Sequence, residues 1–93
     1  MSEIYKIAET ESFSGLIKKK EYSSIYSKIT EYVYPLLRSN PFFGPKIKKL
    51  KGEFEDYFRF RIGDYRLFYI IDENEKIVFI VSVKHRKDAY RRK

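Results

Sequence analysis

Residues 57–72 read YFRFRIGDYRLFYIID, and this stretch predicts two β-strands joined by a tight turn. Apolar residues such as Phe58 and Phe60 alternate with arginines, which is the period of a strand with one buried face. The Gly63-Asp64 pair supplies residues that a hairpin turn favours, and β-forming residues resume after it. The segment therefore predicts an antiparallel hairpin.

A third strand follows the hairpin. We expect the first strand over residues 54–62, the second over 65–72 and the third over 77–83, with a turn at 73–75. The third strand is an almost continuous run of β-branched residues, which is typical of a strand buried on both faces inside a sheet. The three segments together predict an antiparallel meander.

Helical periodicity dominates the region before the meander. The stretch Thr10-Glu11-Ser12 offers capping side chains for a short first helix. A second helix is predicted by apolar residues at helical spacing, namely Tyr22, Ile25, Tyr26, Ile29, Val33, Leu36 and Leu37. Because Pro35 lacks a backbone donor and clashes with the preceding turn, we expect this helix to kink or end near Tyr34. A short strand at residues 4–8 precedes both helices.

This order of elements predicts an α+β fold. It consists of an N-terminal strand, a two-helix hairpin and a three-stranded antiparallel meander. A single sheet with the helices packed on one face is the simplest architecture for it. Because 93 residues suffice for one small core, we expect residues 1–93 to form a single domain.

The composition excludes several functional classes. The chain has no cysteine and one histidine, which argues against a disulfide framework, a thiolate nucleophile and a Cys- or His-rich metal site. Its sequence shows no cofactor motif, no apolar run long enough to cross a membrane and no signal-peptide pattern. We therefore expect a soluble, cytoplasmic protein that acts without a cofactor or a metal.

Positive charge is the first indication of function. The net charge is +7, and residues 46–93 carry fourteen basic and eight acidic side chains, whereas residues 1–45 carry six and five. A basic surface attracts nucleic-acid phosphates or an acidic protein. The charge alone leaves both partners open.

The alternation in the hairpin concentrates part of this charge. Arg59 and Arg61 share one face of their strand, and a register that places Arg66 beside either would gather three guanidinium groups on the solvent face of the sheet. Like charges opposite each other are destabilising, so such a cluster indicates an anion site; a solvated basic face is the alternative. On an exposed face, loss of Arg66 is expected to leave folding intact.

Two further segments extend the basic surface. KIKKLKG, residues 46–52, precedes the hairpin, and KHRKDAYRRK, residues 84–93, follows the third strand. The RNA contacts expected from them are Lys46, Lys48, Lys49, Lys51, Lys84, Lys87 and Arg91. Cations suit phosphoryl transfer because they stabilise the charge that develops on the phosphate. RNA supplies its own nucleophile, the 2′-hydroxyl.

These blocks resemble one protein family. The ordered set KIKKLKG, YFRFRIGDYRLFY and HRKDAY, preceded by a loop with Asn40-Pro41 and Gly44-Pro45, is similar to the RelE/ParE toxin superfamily, on the RelE side, over nearly the whole chain. The resemblance implies a type II toxin of a bacterium or archaeon with a microbial-RNase-like fold. It also implies an mRNA interferase, an endoribonuclease that cleaves mRNA in the ribosomal A site.

The resemblance assigns roles to three residues in the second half of the chain. Arg66 matches the family's phosphate-stabilising arginine after the turn. Arg86 matches the arginine that follows the last strand, and Tyr90 matches the tyrosine that stacks on the substrate base. All three are expected to be catalytic.

The general base is where this sequence departs from the family. Arg59 and Arg61 occupy the positions of a basic pair that is lysine in the best-known members, one of which is a candidate base. Arginine is a poor proton acceptor. We therefore expect His85, ahead of Lys49 or Lys51, to accept the 2′-hydroxyl proton, with Arg59 or Arg61 neutralising the phosphate.

The expected partners are mRNA, the ribosome and a cognate antitoxin, which should be acidic and encoded next to the gene. Two alternatives share the fold, since fold does not settle function. One is a ParE-like protein that inhibits DNA gyrase by binding. The other is a nuclease-dead relative that acts with its antitoxin as a co-repressor. A pure binder does not need arginines that converge on one face, which favours cleavage.

Overall fold

A five-stranded mixed sheet forms the centre of the protein in the computed structural model, which describes residues 4–89. The strands are β1 (Lys6–Glu9), β2 (Ile47–Lys49), β3 (Phe58–Ile62), β4 (Tyr65–Asp72) and β5 (Ile77–His85). Their spatial order is β1-β5-β4-β3-β2, and β1 runs parallel to β5 whereas the other neighbours are antiparallel. The predicted α+β fold is confirmed.

Short helical segments make up most of the remaining structure. They are α1 (Glu11–Ile17), α2 (Ser23–Lys28), α3 (Tyr34–Ser39) and α4 (Arg86–Ala89), with 3-10 turns at Lys20–Tyr22 and Gly52–Phe54. Within the predicted capping stretch Thr10 is the residue that caps α1, since its hydroxyl accepts a hydrogen bond from the Phe13 N–H at 3.2 Å. No helix in residues 4–89 has the length and apolarity to cross a bilayer.

The second helix of the prediction continues past Pro35. A π turn at Ile29–Val33 joins α2 to α3, and the Tyr34 N–H donates to the Ile29 carbonyl, five residues back. The wider turn accommodates the proline in the first turn of α3, where its missing donor costs little. Of the two outcomes predicted near Tyr34, a kink or an end, the helix does not end; the distortion is a local widening, after which the helix continues to Ser39.

The core lies between the helices and one face of the sheet. The helical side contributes Phe13, Ile25, Ile29, Val33 and Leu37, and the sheet contributes Phe58, Phe60, Ile62, Leu67, Tyr69, Val78, Ile80 and Val83. β5 is an interior strand, as predicted, but its burial on both faces was predicted wrongly. Ile77, Phe79 and Val81 are only half-buried because the helices leave the other face of the sheet open.

Two tyrosine hydroxyls form hydrogen bonds that connect separate elements of the fold. The Tyr34 hydroxyl donates to the Glu9 carboxylate at 2.8 Å, and the Tyr69 hydroxyl donates to the Pro41 carbonyl at 2.8 Å. Burial raises the pKa of both phenols above the ordinary value, and the Glu9 hydrogen bond raises that of Tyr34 further. These contacts join α3 to β1 and join β4 to the loop after α3.

A β-bulge in β5 determines what its last residues face. Tyr69 pairs with Ile80 but the preceding Phe68 pairs with Ser82, so Val81 is the extra residue. The extra residue shifts the alternation by one position. Ile80 and Val83 both face the helices although they are three residues apart.

The hairpin begins later than predicted. β3 covers Phe58–Ile62, because Gly52 adopts a left-handed conformation (φ 74°) and opens the 3-10 turn that occupies the start of the predicted strand. β2 was not predicted; it pairs with β3 at the edge of the sheet. β2 is only three residues long and two of them are lysines, which are uncommon in strands, so its sequence does not predict a strand.

Candidate functional site

A groove of about 560 Å³ lies on the face of the sheet that the helices leave open. Among the described residues that line it, none is acidic. Four are basic and most of the others are apolar: Lys48, Leu50, Phe54, Tyr57, Arg59, Arg66, Phe68, Val81, Ser82 and Lys84. The groove therefore offers positive charge and apolar surface side by side.

Three cationic residues form a row across the sheet at one end of the groove. Arg66 on β4 pairs with Arg61 on β3 and with Lys84 on β5. Arg66 and Lys84 line the groove, whereas Arg61 is exposed beside it. Like charges in neighbouring positions repel each other, so an anion bound here would relieve the repulsion.

Arg66 is more buried than the sequence suggested. Its relative exposure is 8%, and one guanidinium NH₂ donates to the carbonyls of Gly63 and Tyr65, each at 3.1 Å. These bonds hold the side chain against the hairpin turn. The expectation that Arg66 lies on an exposed face, where its loss would not affect folding, is therefore wrong.

A second row lies next to the first. Arg59 on β3 pairs with Lys48 on β2 and with Phe68 on β4, which in turn pairs with Ser82 on β5. Arg59 is half-buried, and its Nε is inaccessible to solvent with no hydrogen-bond partner among the described residues. Arg59 and Arg66 are thus the two arginines that the structure brings into the groove.

His85 faces away from the groove. It pairs with Tyr65, and its ring meets that of Tyr65 edge-on at 5.2 Å on the side of the sheet where the helices pack. Its Nδ1 accepts a hydrogen bond from the Lys87 N–H at 3.2 Å. The bulge at Val81 is the cause, because it turns Lys84 toward the groove and His85 toward the helices.

Arg86 lies at the hairpin turn rather than in the groove. Its backbone N–H donates to the Asp64 carbonyl at 2.6 Å, and its guanidinium is 3.9 Å from the Asp64 carboxylate. Both side chains are more than half exposed, so this ion pair adds little stability. The turn therefore holds Arg66 through Gly63 and positions α4 through Asp64.

The other predicted RNA contacts are dispersed. Lys46 lies beside Arg61, whose N–H donates to the Lys46 carbonyl at 2.9 Å. Lys49 faces the opposite side of the sheet, with its amine 5.8 Å from the centre of the Phe58 ring. Lys51 and Lys87 are exposed outside the groove. Tyr90 and Arg91 lie outside the described residues.

The apolar residues of the groove were not predicted as part of the site. Tyr57 and Phe68 follow the same alternation as Arg59 and Arg66, so the strand period could have identified them. Phe54 lies in the 3-10 turn and has no periodic signal. Among residues 4–89, no group of three His, Asp or Glu side chains is arranged to hold a metal ion.

Comparisons with known proteins identify the family of the chain. A family model described as the ParE toxin of the type II toxin–antitoxin system parDE matches residues 16–90. Toxin RelG of Mycobacterium tuberculosis is 47% identical over 45 residues, which are 48% of this chain and 52% of RelG. In that match the chain spans about half the length of its relative.

Two solved structures show the same fold. A chain of the toxin–antitoxin complex RelBE2 from M. tuberculosis is similar with a TM-score of 0.75 and 29% identity, over 92% of this chain and 95% of that one. YafQ from E. coli has a TM-score of 0.70 at 18% identity, over 94% and 99% of the two chains. Since the family model covers most of the sequence, the chain belongs to the RelE/ParE superfamily of toxins from type II toxin–antitoxin systems.

Proposed function

We propose that the protein is an mRNA interferase, a toxin that cleaves mRNA in the ribosomal A site and thereby inhibits translation. The observation that carries the proposal is the row formed by Arg61, Arg66 and Lys84 beside a groove in which none of the described lining residues is acidic. Three cations in neighbouring positions suit a phosphodiester, which is the anion of RNA. The site of action would be the cytoplasm, where ribosomes translate.

The proposed reaction is a transesterification within the RNA. The 2′-oxygen forms a bond to the adjacent phosphorus and loses its proton, while the bond between phosphorus and the 5′-oxygen breaks and that oxygen gains a proton. The products are a 2′,3′-cyclic phosphate and a 5′-hydroxyl. Arg66 and Lys84 would stabilise the charge on the phosphorane-like transition state, with Arg59 or Arg61 on its other side.

His85 remains the proposed proton acceptor. The groove itself offers arginine and lysine side chains, which are poor acceptors at neutral pH, whereas histidine suits this role. His85 is the last residue of β5 and is partly exposed. In this proposal the RNA bends over the end of β5, where Arg86 would stabilise the leaving 5′-oxygen and Tyr90 would stack on the base.

An antitoxin is the proposed protein partner. The titles of several similar structures name toxin–antitoxin complexes, among them RelBE2 of M. tuberculosis and DinJ–YafQ of E. coli. For this chain, with a net charge of +7, an acidic antitoxin would neutralise the groove and compete with RNA. Such a partner would supply apolar side chains and carboxylates.

The family model favours a second candidate, because its description names ParE toxins. A ParE-like protein would inhibit DNA gyrase by binding and would not need the groove. Pulse labelling after induction in growing cells separates the two. An interferase stops incorporation of amino acids first, whereas a gyrase inhibitor stops incorporation of thymidine first and would overturn the proposal.

A further inference from the structure

One end of the groove is aromatic. Phe54 and Tyr57 lie along its side, and Phe68 lies in the strand that forms its floor. The Phe54 and Tyr57 rings meet edge-on, with 6.1 Å between their centroids and 82° between their planes. Phe54 keeps 54% of its surface exposed, which is costly for a phenylalanine that could pack elsewhere. This surface indicates a ligand with a flat apolar face.

Arg59 lies in the same part of the groove. It pairs with Phe68 across the strands, and its Nε is inaccessible to solvent without a hydrogen-bond partner among the described residues. A ligand cannot reach an atom that is closed to water, but the rest of this half-buried side chain lines the groove and carries further N–H donors. The ligand should therefore carry acceptor atoms at the edge of its flat face.

The floor of the groove limits how a ligand can be held. It is formed by β3, β4 and β5, and each of these strands already pairs with a neighbour on both sides. An extended antitoxin segment cannot add to the sheet there by backbone hydrogen bonds, as it could at an exposed edge. Contacts to side chains remain, and aromatic surface beside positive charge is the combination that holds single-stranded nucleic acid.

We propose that this aromatic end is a nucleobase subsite. One base of a single-stranded RNA stacks against Phe54, Tyr57 and Phe68, and Arg59 donates a hydrogen bond to an acceptor on its edge. The row of Arg66 and Lys84 lies two residues along the strands, about 7 Å away, within reach of the phosphate of the same nucleotide. The inference rests on the proposed function and adds a base site besides the one proposed for Tyr90.

The test uses a short RNA that resists cleavage because its riboses are 2′-O-methylated. A single abasic riboside replaces each nucleotide in turn, and the affinity of the full-length protein is measured by fluorescence anisotropy. The variants are Phe54→Ala combined with Tyr57→Ala, and the control is Phe43→Ala, an aromatic residue that is 78% exposed and does not line the groove.

The proposal predicts a specific pattern of losses. For intact RNA the double variant loses about ten- to a hundred-fold in affinity, as expected for lost base stacking, and Phe43→Ala loses none. For RNA that is abasic at one particular position, the affinity of wild-type protein falls by a similar factor. The double variant binds that RNA as tightly as wild-type protein does. The subsite is overturned if the double variant loses the same factor in affinity for intact RNA and for every abasic RNA. It is also overturned if the double variant binds intact RNA as tightly as wild-type protein.

Two further outcomes separate this inference from the proposed function. Wild-type protein that discriminates against one abasic position but leaves ribosome-bound mRNA uncut would support the subsite and remove the nuclease function. If wild-type protein cuts mRNA but the double variant binds RNA as tightly as wild type, the nuclease function is supported and the subsite is wrong. If the double variant loses affinity only for the antitoxin, the aromatic end is a protein contact and the subsite is wrong.

Discussion

Arg66 lies directly opposite Lys84 on the neighbouring strand, and both residues line the same groove on the open face of the sheet. The two cations are held there by different means. Arg66 is fixed by hydrogen bonds to the hairpin turn, whereas Lys84 reaches this face because the bulge at Val81 shifts the alternation of β5. A pair of like charges positioned in this way is the strongest indication of a phosphate site in the molecule.

Lys84→Ala should reduce cleavage without harming the fold. We expect about ten- to a hundred-fold lower cleavage of ribosome-bound mRNA, since one of the cations that face the phosphate is lost. The melting temperature should be unchanged or slightly higher because a repulsive pair is removed. Lys28→Ala, at an exposed lysine of α2 outside the groove, is the control and should retain full activity. Equal activity of the two variants would remove Lys84 from the site.

Arg66→Ala should impair both activity and stability. Loss of a preorganised cation is expected to slow cleavage by about a hundred- to a thousand-fold. Loss of the hydrogen bonds to the Gly63 and Tyr65 carbonyls should lower the free energy of unfolding by about 1–3 kcal/mol. Thermal denaturation and a single-turnover cleavage assay measure the two effects.

Arg66→Lys separates charge from hydrogen bonding at this position. It should keep more stability and more activity than alanine, since it retains the cation but lacks the planar fork of donors. A folded Arg66→Ala protein that remains fully toxic would show that the groove does not cleave RNA, and the gyrase-binding alternative would then be preferred.

His85→Gln tests the proton acceptor. If His85 accepts the 2′-hydroxyl proton, the variant should cleave about 10²–10⁴-fold more slowly, and the fall in rate toward acidic pH should disappear from its profile. His85 contacts Tyr65 and Lys87 but lies outside the core, so the melting temperature should change little. An unchanged pH–rate profile would assign the proton transfer to a lysine or to the ribosome.

Tyr69→Phe should weaken the fold and reduce its sensitivity to alkali. The variant removes the hydrogen bond to the Pro41 carbonyl and should lose about 1–2 kcal/mol at neutral pH. Burial raises the pKa of the Tyr69 phenol in the folded state, so the unfolded chain releases this proton first. Stability from Tyr69 is therefore complete below pH of about 10 and falls as the pH rises further.

The alkaline effect is measured by urea denaturation from neutral pH to pH of about 11. The stability difference between wild type and Tyr69→Phe should shrink above pH of about 10, as wild-type protein loses the contribution of this proton. Tyr32→Phe, at an exposed tyrosine, serves as the control and should show no such change. A difference that stays constant with pH would contradict the account of Tyr69.

The alternation of the hairpin predicted much of the site. Arg59 and Arg61 on one face, and the turn at Gly63, follow from periodicity and turn chemistry alone. Periodicity alone could not predict which face of the sheet Lys84 and His85 occupy. Both follow the bulge at Val81, and a bulge depends on pairing with β4, which local sequence does not reveal.

Tertiary context also decided two other features. β2 exists because β3 pairs with it, although its lysine-rich sequence has little intrinsic β preference. The π turn before Pro35 allows the helix to continue, because the apolar positions Ile29 and Val33 both remain in the core. In each case packing outweighed the local signal.

Primer extension on mRNA from translating ribosomes incubated with the purified protein measures whether this groove cleaves RNA. Wild-type protein should cut within the A-site codon, whereas a folded protein carrying both Arg59→Ala and Lys84→Ala should leave the mRNA intact. Uncut mRNA with wild-type protein, or equal cleavage by the double variant, would contradict the claim that this groove cleaves RNA.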